Sequence, residues 1–327
     1  MAPGERAGPD RPVGQVDAMA VPRFAGVRTF ARLPMLDKVG RADVAVLGAP
    51  FDGATTFRAG ARFGPAAIRE ASLLLRPYND ALDLSPFAEV QVADAGDAPA
   101  SPIDVEAAHR AIEESARAVI EAGGRVIGLG GDHSVSLPLL RAAAAKFGPL
   151  ALLQLDAHTD TWDSYFGARY THGTVFRRAI EEGIVDPRAS VQIGLRGSLY
   201  SADDLRENRE LGFATLPARE LDGVGVPGAL ELIRSRLGTP VYLTVDIDVL
   251  DPAFAPGTGT PEAGGLTSRE VLALLHGLAE LEPQIAGADV VEVSPPYDPS
   301  GVTGVAGANI AYELIGLAAL TARAGAR

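Results

Sequence analysis

The sequence contains no cysteine. Disulfide bonds, thiolate zinc sites and iron–sulfur clusters are therefore excluded. Any metal that this protein binds must be held by carboxylate, imidazole or other oxygen ligands. A chain without disulfides is compatible with a reducing compartment, and we expect the protein to be cytoplasmic.

The sequence also lacks an excess of basic charge and long apolar runs. Its 29 Lys and Arg are outnumbered by 42 Asp and Glu, which gives a formal net charge of −13 and a pI near 4.9. We therefore expect no nucleic acid bound through a basic face. No run is long enough to predict a membrane span, and residues 1–13 lack the apolar core of a signal peptide, so we expect no membrane partner.

Strand-like and helical patterns alternate along the 327 residues, of which 47% are hydrophobic. We predict a mobile segment, 1–22, followed by one domain, 23–327. Apolar runs bounded by Gly and Pro predict strands at 42–49, 89–92, 125–129, 150–155, 190–194, 240–245 and 288–293. Helical spacing predicts helices at 101–122, 134–147, 201–211, 226–237, 268–281 and 308–322. This order predicts an α/β fold whose mainly parallel sheet is covered by helices on both faces.

Three acidic and histidine-bearing clusters follow predicted strands directly. They are Gly-Gly-Asp-His at 130–133, Asp-Ala-His-Thr-Asp at 156–160 and Asp-Ile-Asp at 246–248. The carboxyl ends of parallel strands share one edge of a sheet, and alternate side chains of an extended segment share one side. The clusters therefore predict a site for a pair of divalent metals, with six ligands: His133, Asp156, His158, Asp160, Asp246 and Asp248. Each cluster alone has a second interpretation, as helix caps or partners of buried backbone groups.

At these clusters the chain resembles the ureohydrolases, the family of arginases and agmatinases. Further matching motifs are Gly-Ala-Pro-Phe-Asp-Gly at 48–53, Arg-Ala-Gly-Ala-Arg-Phe-Gly-Pro at 58–65, His-Gly-Thr at 172–174 and Val-Glu-Val-Ser-Pro at 291–295. The resemblance covers about residues 43–320. It implies a three-layer α/β/α sandwich, a single catalytic domain and a homo-oligomer, either a trimer or a hexamer.

The resemblance also implies two Mn²⁺ ions per subunit. One ion would take His133 and Asp160, the other would take His158 and Asp248, and Asp156 with Asp246 would bridge both. Hard oxygen ligands with one imidazole per ion suit manganese, although ligand type alone leaves zinc, cobalt and iron open.

The implied reaction is hydrolysis of a guanidino group by a hydroxide that bridges the two metals. Two catalytic residues are expected. His172 is the candidate proton shuttle because imidazole titrates near working pH, and Glu292 can pair bidentately with a guanidinium. Without the resemblance, each has an ordinary structural interpretation, a hydrogen-bonded loop histidine or an ion-pair partner.

The motifs predict agmatine as the substrate, cleaved to putrescine and urea. Guanidinobutyrate or another guanidino acid is the alternative. The far end of the pocket would be acidic for agmatine, which has a second cation, and basic for a guanidino acid, which has a carboxylate. Arg169 and Arg196 are the candidate cations. Trp162 could stack on the substrate or only pack against other side chains. Residues 252–265 predict a loop that forms a pocket wall.

Two other functional classes remain open, a one-zinc amide deacetylase of similar fold and a catalytically silent binding subunit. His109 and His276 lie in helical patterns away from the clusters, and we expect them to be structural.

Overall fold

The computed structural model describes residues 12–325, and within them eight strands form a single sheet. The strands are β1 (Val44–Ala49), β2 (Val92–Asp97), β3 (Arg125–Gly130), β4 (Ala151–Leu155), β5 (Val191–Ile193), β6 (Ala214–Leu216), β7 (Val241–Asp246) and β8 (Ile285–Val291). Their order across the sheet is β2-β1-β3-β8-β7-β4-β5-β6, and every neighbouring pair is parallel. Strands β3, β7 and β4, which precede the three clusters, therefore lie near the middle of the sheet.

Helices cover both faces of the sheet. The described α-helices are α1 (Leu36–Val39), α2 (Gly64–Ser72), α3 (Pro86–Glu89), α4 (Val105–Glu121), α5 (Ser136–Phe147), α6 (Val175–Glu181), α7 (Asp203–Leu211), α8 (Ala218–Arg236), α9 (Ser268–Ala279) and α10 (Val302–Gly325). On β1, Val44 and Val46 pack into the core under α2, α8, α9 and α10, and the alternate residues Ala45 and Leu47 pack into the core under α4, α5 and α6. The three-layer α/β/α fold is confirmed.

Helix α10 is long and apolar enough to cross a membrane by length and composition alone, contrary to the expectation from the sequence. However, 72% of its most apolar window is buried inside the fold. Its contacts with α2, α9 and β8 identify it as a core helix, because a helix that is apolar on all sides is also typical of the interior of a large domain.

Several predicted boundaries were wrong, and short elements were missed. Residues 86–89 form α3, so the strand predicted at 89–92 begins only at Val92. Helices α2 and α6 and the edge strand β6 span nine, seven and three residues, too short for a clear periodic pattern. Helix α8 starts before the predicted residue 226 because it combines two helical parts across Gly225, which has a φ of 63°.

The division into a mobile segment, 1–22, and a domain, 23–327, stays a prediction. Residues 1–11 of that segment lie outside the described residues. Within the rest, Val13 exchanges hydrogen bonds with the side chain of Gln91, and the amide of Val16 donates to the carbonyl of Arg32 at 3.2 Å. Residues 12–22 therefore contact the domain through specific hydrogen bonds.

Candidate metal centre

The three clusters meet at the carboxyl edge of the central strands. After β3, Asp132 caps the short 3-10 helix His133–Val135 by accepting from the amide of Ser134. After β7, Asp246 caps the 3-10 helix Ile247–Val249 in the same way, by accepting from the amide of Asp248 at 2.8 Å. The capping interpretation is therefore correct for two clusters. It does not exclude the metal interpretation, since a carboxylate has lone pairs to spare after accepting one backbone bond.

Four side chains converge on one point around His133. Its Nδ1 lies 2.9 Å from Asp160 Oδ2, 3.1 Å from Asp156 Oδ2 and 3.3 Å from Asp246 Oδ2. Each of these side chains is at least nine-tenths buried. Among the described residues, His133 Nδ1 is a buried nitrogen without a hydrogen bond of acceptable geometry.

A second group forms around His158, beside the first. Its Nδ1 lies 3.1 Å from Asp248 Oδ2 and 3.6 Å from Asp156 Oδ1. Asp156 thus presents one carboxylate oxygen to each imidazole. The structure brings all six predicted ligands together, in two groups that share Asp156, with Asp246 placed in the first group by its contact with His133.

The buried carboxylates of this cluster repel one another, so a bound cation would stabilise it. Burial raises the pKa of Asp246 well above its ordinary value, and repulsion from Asp248 and Asp156 raises it further. Burial alone lowers the pKa of His133, but its neighbouring carboxylates hold that pKa well above the ordinary value of histidine. An unpaired imidazole nitrogen among buried carboxylates is the donor set of a divalent cation such as Mn²⁺, so the residues present fit the metal site that the sequence predicts.

His172 and Glu292 lie together beside this cluster. His172 Nδ1 is 2.9 Å from Glu292 Oε1, which also accepts from the backbone amide of His133 at 2.9 Å. His172 Nε2 lies 2.7 Å from Thr56 Oγ1. Burial lowers the pKa of His172, but hydrogen bonding to Glu292 and its charge raise it to about 9.

Two site residues have left-handed backbones. The φ angles of Asp160 and Glu292 are 51° and 63°. Such conformations cost about 1–3 kcal/mol in residues with a side chain, and they cluster at functional sites. The fold therefore holds these two carboxylates in positions that the local sequence disfavours.

A cavity of about 570 Å³ opens over the cluster. Its lining includes His158, Asp160, Asp246 and His172 together with aromatic and charged residues from other loops. Trp162 lines it and stacks on Tyr165, with ring centroids 4.9 Å apart and planes at 13°. Packing against a neighbouring ring does not remove Trp162 from the cavity, so both of its predicted roles remain compatible with this position.

The two arginines singled out in the sequence do not face the far end of the cavity as free cations. Arg196 donates to the main-chain carbonyls of Gly194, Asp248, Val249, Leu250 and Glu262. Arg169 pairs with Glu181 on the surface at 2.9 Å. Both suggestions are therefore corrected, because main-chain carbonyls occupy the guanidinium of Arg196, and Arg169 is 61% exposed on the surface, in an ion pair with Glu181.

Two charged residues that the sequence analysis did not single out line the cavity instead. Arg58 lies over the rings of Tyr297 and Phe57, at 5.1 and 5.4 Å from their centroids. Glu262 lines the same cavity. Among the described residues, neither side chain has an ion-pair partner within 4.0 Å. Arg58 stands in one of the matching motifs, and that position was the only signal for it.

The two histidines expected to be structural lie outside both metal groups. His109 is buried, with its Nε2 3.3 Å from Ser134 Oγ, and burial lowers its pKa to about 4. His276 is partly exposed and lies 3.4 Å from Glu313.

The chain is similar to known proteins along most of its length. The profile of the arginase family matches residues 42–316. The chain is 48% identical to a guanidinopropionase from Pseudomonas aeruginosa over 309 residues, 94% of this chain and 96% of that protein. It is 43% identical to an agmatinase from Neisseria meningitidis, over 92% of this chain and 95% of that protein.

Solved structures agree with these similarities. The structure of proclavaminate amidinohydrolase from Streptomyces clavuligerus superposes with a TM-score of 0.86 at 44% identity, over 93% of this chain and 99% of that one. A formiminoglutamase from Trypanosoma cruzi superposes with a TM-score of 0.76 at 27% identity, over 86% of this chain and 94% of that one, and its structure contains Mn²⁺.

Proposed function

The chain belongs to the arginase family of hydrolases that act on guanidino groups, and from this membership we propose that it releases urea from a small ω-guanidino carboxylic acid. The observation that carries the proposal is the position of Arg58, a cation without a carboxylate partner among the described residues, in the same cavity as the convergent Asp and His side chains. Agmatine, which the motifs alone favour, is the second candidate.

The residues that would hold two divalent cations, manganese by preference, are His133, Asp156, His158, Asp160, Asp246 and Asp248. When bound, these cations would supply Lewis acidity, which lowers the pKa of water to give a nucleophile at neutral pH and stabilises negative charge on the oxygen that attacks the guanidino carbon. The chain's own contribution is to bury the carboxylates and to fix the positions of both imidazoles.

Glu292 is suited to hold the guanidinium. Its Oε1 is engaged by His172 and by the amide of His133, but its Oε2 is buried without a hydrogen-bond partner among the described residues. A buried carboxylate oxygen without a donor is costly, and a guanidinium N–H would satisfy it.

His172 is suited to deliver the proton that the departing amine needs. It lies at the cavity wall with its proton-bearing ring between Glu292 and Thr56. Urea release from a guanidino compound consumes one water and leaves an amine, so the leaving nitrogen must gain a proton. An imidazole held by a carboxylate can supply that proton at neutral pH.

The charge at the far end of the cavity would distinguish the two candidate substrates. The Arg58 guanidinium would pair with the carboxylate of a guanidino acid, and the rings of Phe57 and Tyr297 keep it in place. Similarity to a guanidinopropionase supports this choice. Glu262 is the specific observation that favours agmatine, because its carboxylate lines the same cavity and would pair with the second cation of that substrate.

The test is urea release by the manganese-loaded protein from 4-guanidinobutyrate, 3-guanidinopropionate, agmatine and arginine, compared by kcat/KM. Arg58→Met keeps the apolar stem of the side chain. It should lower kcat/KM for the guanidino acids about 10–100-fold, the contribution of one hydrogen bond between charged groups, and leave kcat/KM for agmatine unchanged. Glu262→Gln is the matched control for the opposite charge.

Three outcomes are informative. Equal losses for acids and agmatine in Arg58→Met would remove Arg58 as the discriminating residue. A loss confined to agmatine in Glu262→Gln, together with an agmatine preference of the wild type, would establish the second candidate. No urea from any of the four compounds would refute the proposed function.

We also propose that the protein acts as a homo-oligomer, a trimer or a hexamer, as the family resemblance implies. Phe57 and Phe63 are 71% and 58% exposed, and an interface would remove such apolar surface from water. Light scattering coupled to size-exclusion chromatography tests this directly, and a monomeric mass would contradict it.

A further inference from the structure

A row of polar side chains crosses one face of the sheet beneath the candidate metal centre. Asp289 of β8 pairs in register with Thr244 of β7, Thr244 with Gln154 of β4, and Gln154 with Gln192 of β5. All four side chains are 0% exposed, and we refer to them as the polar row. Parallel strands buried on both faces normally carry apolar residues, and buried polar groups are costly unless they are paired. Four buried polar side chains at these positions therefore need a functional or structural explanation.

One part of the polar row meets His133. Thr244 Oγ1 lies 2.9 Å from His133 Nε2, and the Thr244 hydroxyl donates to Asp289 Oδ1 at 2.5 Å. A hydroxyl has only one proton, so its oxygen must accept from His133 Nε2. The neutral ring then has its proton on Nε2 and a lone pair on Nδ1. Nδ1 is the atom that faces the three carboxylates.

Tyr242 completes this part of the network from the same face of β7. Its hydroxyl donates to Asp289 Oδ2 at 2.8 Å. Each oxygen of Asp289 therefore accepts one hydrogen bond, and the carboxylate cannot rotate without breaking one of them. The orientation of the Thr244 hydroxyl, and through it the tautomer of His133, follows from this arrangement.

The other part of the polar row meets Asp156. Gln154 Nε2 donates to Asp156 Oδ2 at 2.7 Å and to the carbonyl of His158 at 3.1 Å. Both partners are acceptors, so the Gln154 oxygen must point away from them, where it accepts from Gln192 Nε2 at 2.6 Å. The Gln192 oxygen in turn accepts from Asn208 Nδ2 at 2.7 Å. The carboxylate of Asp156 thus fixes the direction of every amide in this chain of hydrogen bonds.

Helix α7 joins the network through Asn208, which is the one buried residue of that helix. Asn208 Oδ1 accepts from Thr161 Oγ1 at 3.0 Å, directly after Asp160. Residues 198–200, just before α7, line the cavity. Buried hydrogen bonds therefore link α7, the helix that follows this part of the cavity wall, to the carboxylate of Asp156 in the candidate metal centre.

We propose that the polar row is a positioning device that sets the tautomer of His133 and the orientation of Asp156, so that metal affinity depends on side chains that touch no metal. The inference rests on the proposed metal site. Hydrogen-bond partners of metal ligands typically change affinity by about 10–100-fold when removed. Thr244 and Gln154 are the residues that contact the ligands, and Asp289, Gln192 and Asn208 act through them.

The decisive experiment measures Mn²⁺ binding to the full chain by titration calorimetry, with the melting temperature of the metal-stripped protein as the measure of folding. Thr244→Val keeps the shape of the side chain and removes the hydroxyl, so we expect Mn²⁺ to bind about 10–100-fold more weakly at one site. Thr244→Ser restores the hydroxyl and should return affinity to within about threefold of the wild type.

Thr321→Val is the matched control. Thr321 is a buried threonine on α10, 4% exposed, and it donates to the carbonyl of Pro283 at 2.9 Å, remote in sequence from every candidate ligand. We expect it to lower the melting temperature and to leave Mn²⁺ affinity unchanged. If Thr244→Val also lowers only the melting temperature and binds Mn²⁺ with wild-type affinity, the row is merely structural and the proposal is overturned.

If Thr244→Val does not fold, Asn208→Leu decides, because Asn208 contacts no candidate ligand. Mn²⁺ affinity at least threefold weaker than that of the wild type supports the proposal, and any smaller change overturns it. Glu207→Ala, on the exposed side of the same helix, controls for changes in α7 itself. Failure of the proposed function is separate, since it would appear as missing urea release with Mn²⁺ binding intact.

Discussion

His172 Nδ1 lies 2.9 Å from Glu292 Oε1, so the expected proton shuttle and the expected guanidinium partner are in contact with each other. The two carboxylate oxygens of Glu292 differ in their contacts. Oε1 binds the imidazole of His172, whereas Oε2 has no hydrogen-bond partner among the described residues and is available for a guanidinium. The charge of Glu292 also raises the pKa of His172 to about 9, against the effect of burial.

This contact predicts a titration. In metal-stripped protein, His172 should stay protonated up to pH about 9, and Glu292→Gln should lower its pKa, since burial is then opposed only by the charges of Asp160 and Asp132. The raised pKa stabilises the fold below pH 6.5, and this contribution is lost as the pH rises through 9. NMR of the imidazole protons measures it, and with five histidines in the chain, His172→Asn assigns the signal. An unchanged pKa in Glu292→Gln would contradict the coupling.

His172→Asn should also separate catalysis from metal binding. We expect kcat to fall about 10²–10⁴-fold, the usual contribution of general acid–base catalysis, while the Mn²⁺ content stays at the wild-type value. Steady-state kinetics and metal analysis of the same sample test this. Loss of metal in proportion to activity would make His172 a support of the cluster instead of a proton donor.

His133 and His276 form a matched pair for the site assignment. His133→Ala removes the one imidazole that faces three carboxylates, so it should weaken one metal site and cut turnover strongly. His276→Ala removes a partly exposed histidine beside Glu313 and should change neither quantity. Calorimetry with Mn²⁺ and a urea assay compare the two variants, and equal effects would refute the assignment.

Binding of Mn²⁺ should release protons. Burial and neighbouring carboxylates raise the pKa of Asp246 well above its ordinary value, and carboxylates hold the pKa of His133 and His158 well above that of a free imidazole, although burial opposes this. Metal ligands must give up these protons. Calorimetric titration in buffers of different ionisation enthalpy should show release of about two protons or more at pH 7. Heats that are independent of the buffer would show that the cluster is already deprotonated.

Arg196 should matter for stability and not for specificity. Its guanidinium donates to five main-chain carbonyls, so Arg196→Met should cost about 3 kcal/mol or more of unfolding free energy and leave the ratio of kcat/KM values between substrates unchanged. Arg169→Met, in a surface pair that is 61% exposed at Arg169, should cost less than about 1 kcal/mol. Denaturant unfolding measures both. A change of substrate preference in Arg196→Met would return this residue to the pocket.

His109 predicts a specific acid sensitivity. Burial lowers its pKa to about 4 from an unfolded value of 6.5. The contribution to stability is therefore complete above pH 6.5 and is lost as the pH falls through 4, by about 3 kcal/mol in total. His109→Gln lacks this titration, so the difference in unfolding free energy between variant and wild type should change over that range. A difference that is constant with pH would show that folding does not shift the pKa of His109.

The sequence determined the fold class and the six candidate ligands. Strands at 125–130 and 241–246 are marked by apolar β-branched runs, and clusters of Asp and His follow them directly. Because parallel strands end at one edge, the convergence of such clusters follows from local pattern alone. Short elements such as β6 carry too few residues for a periodic signal, and the sequence could not place them.

Only the tertiary structure decided which side chains have partners. Arg196 and Arg58 look equally available in the sequence, but main-chain carbonyls occupy the first, and the second lines the cavity. Thr244 and Gln154 look like interruptions of apolar strands until the pairing of β7 and β4 sets them side by side beneath His133 and Asp156. Residue type and local spacing indicate what a side chain can donate or accept. Its partners come from distant segments, 159 residues away for Glu292 and His133, and only packing brings them together.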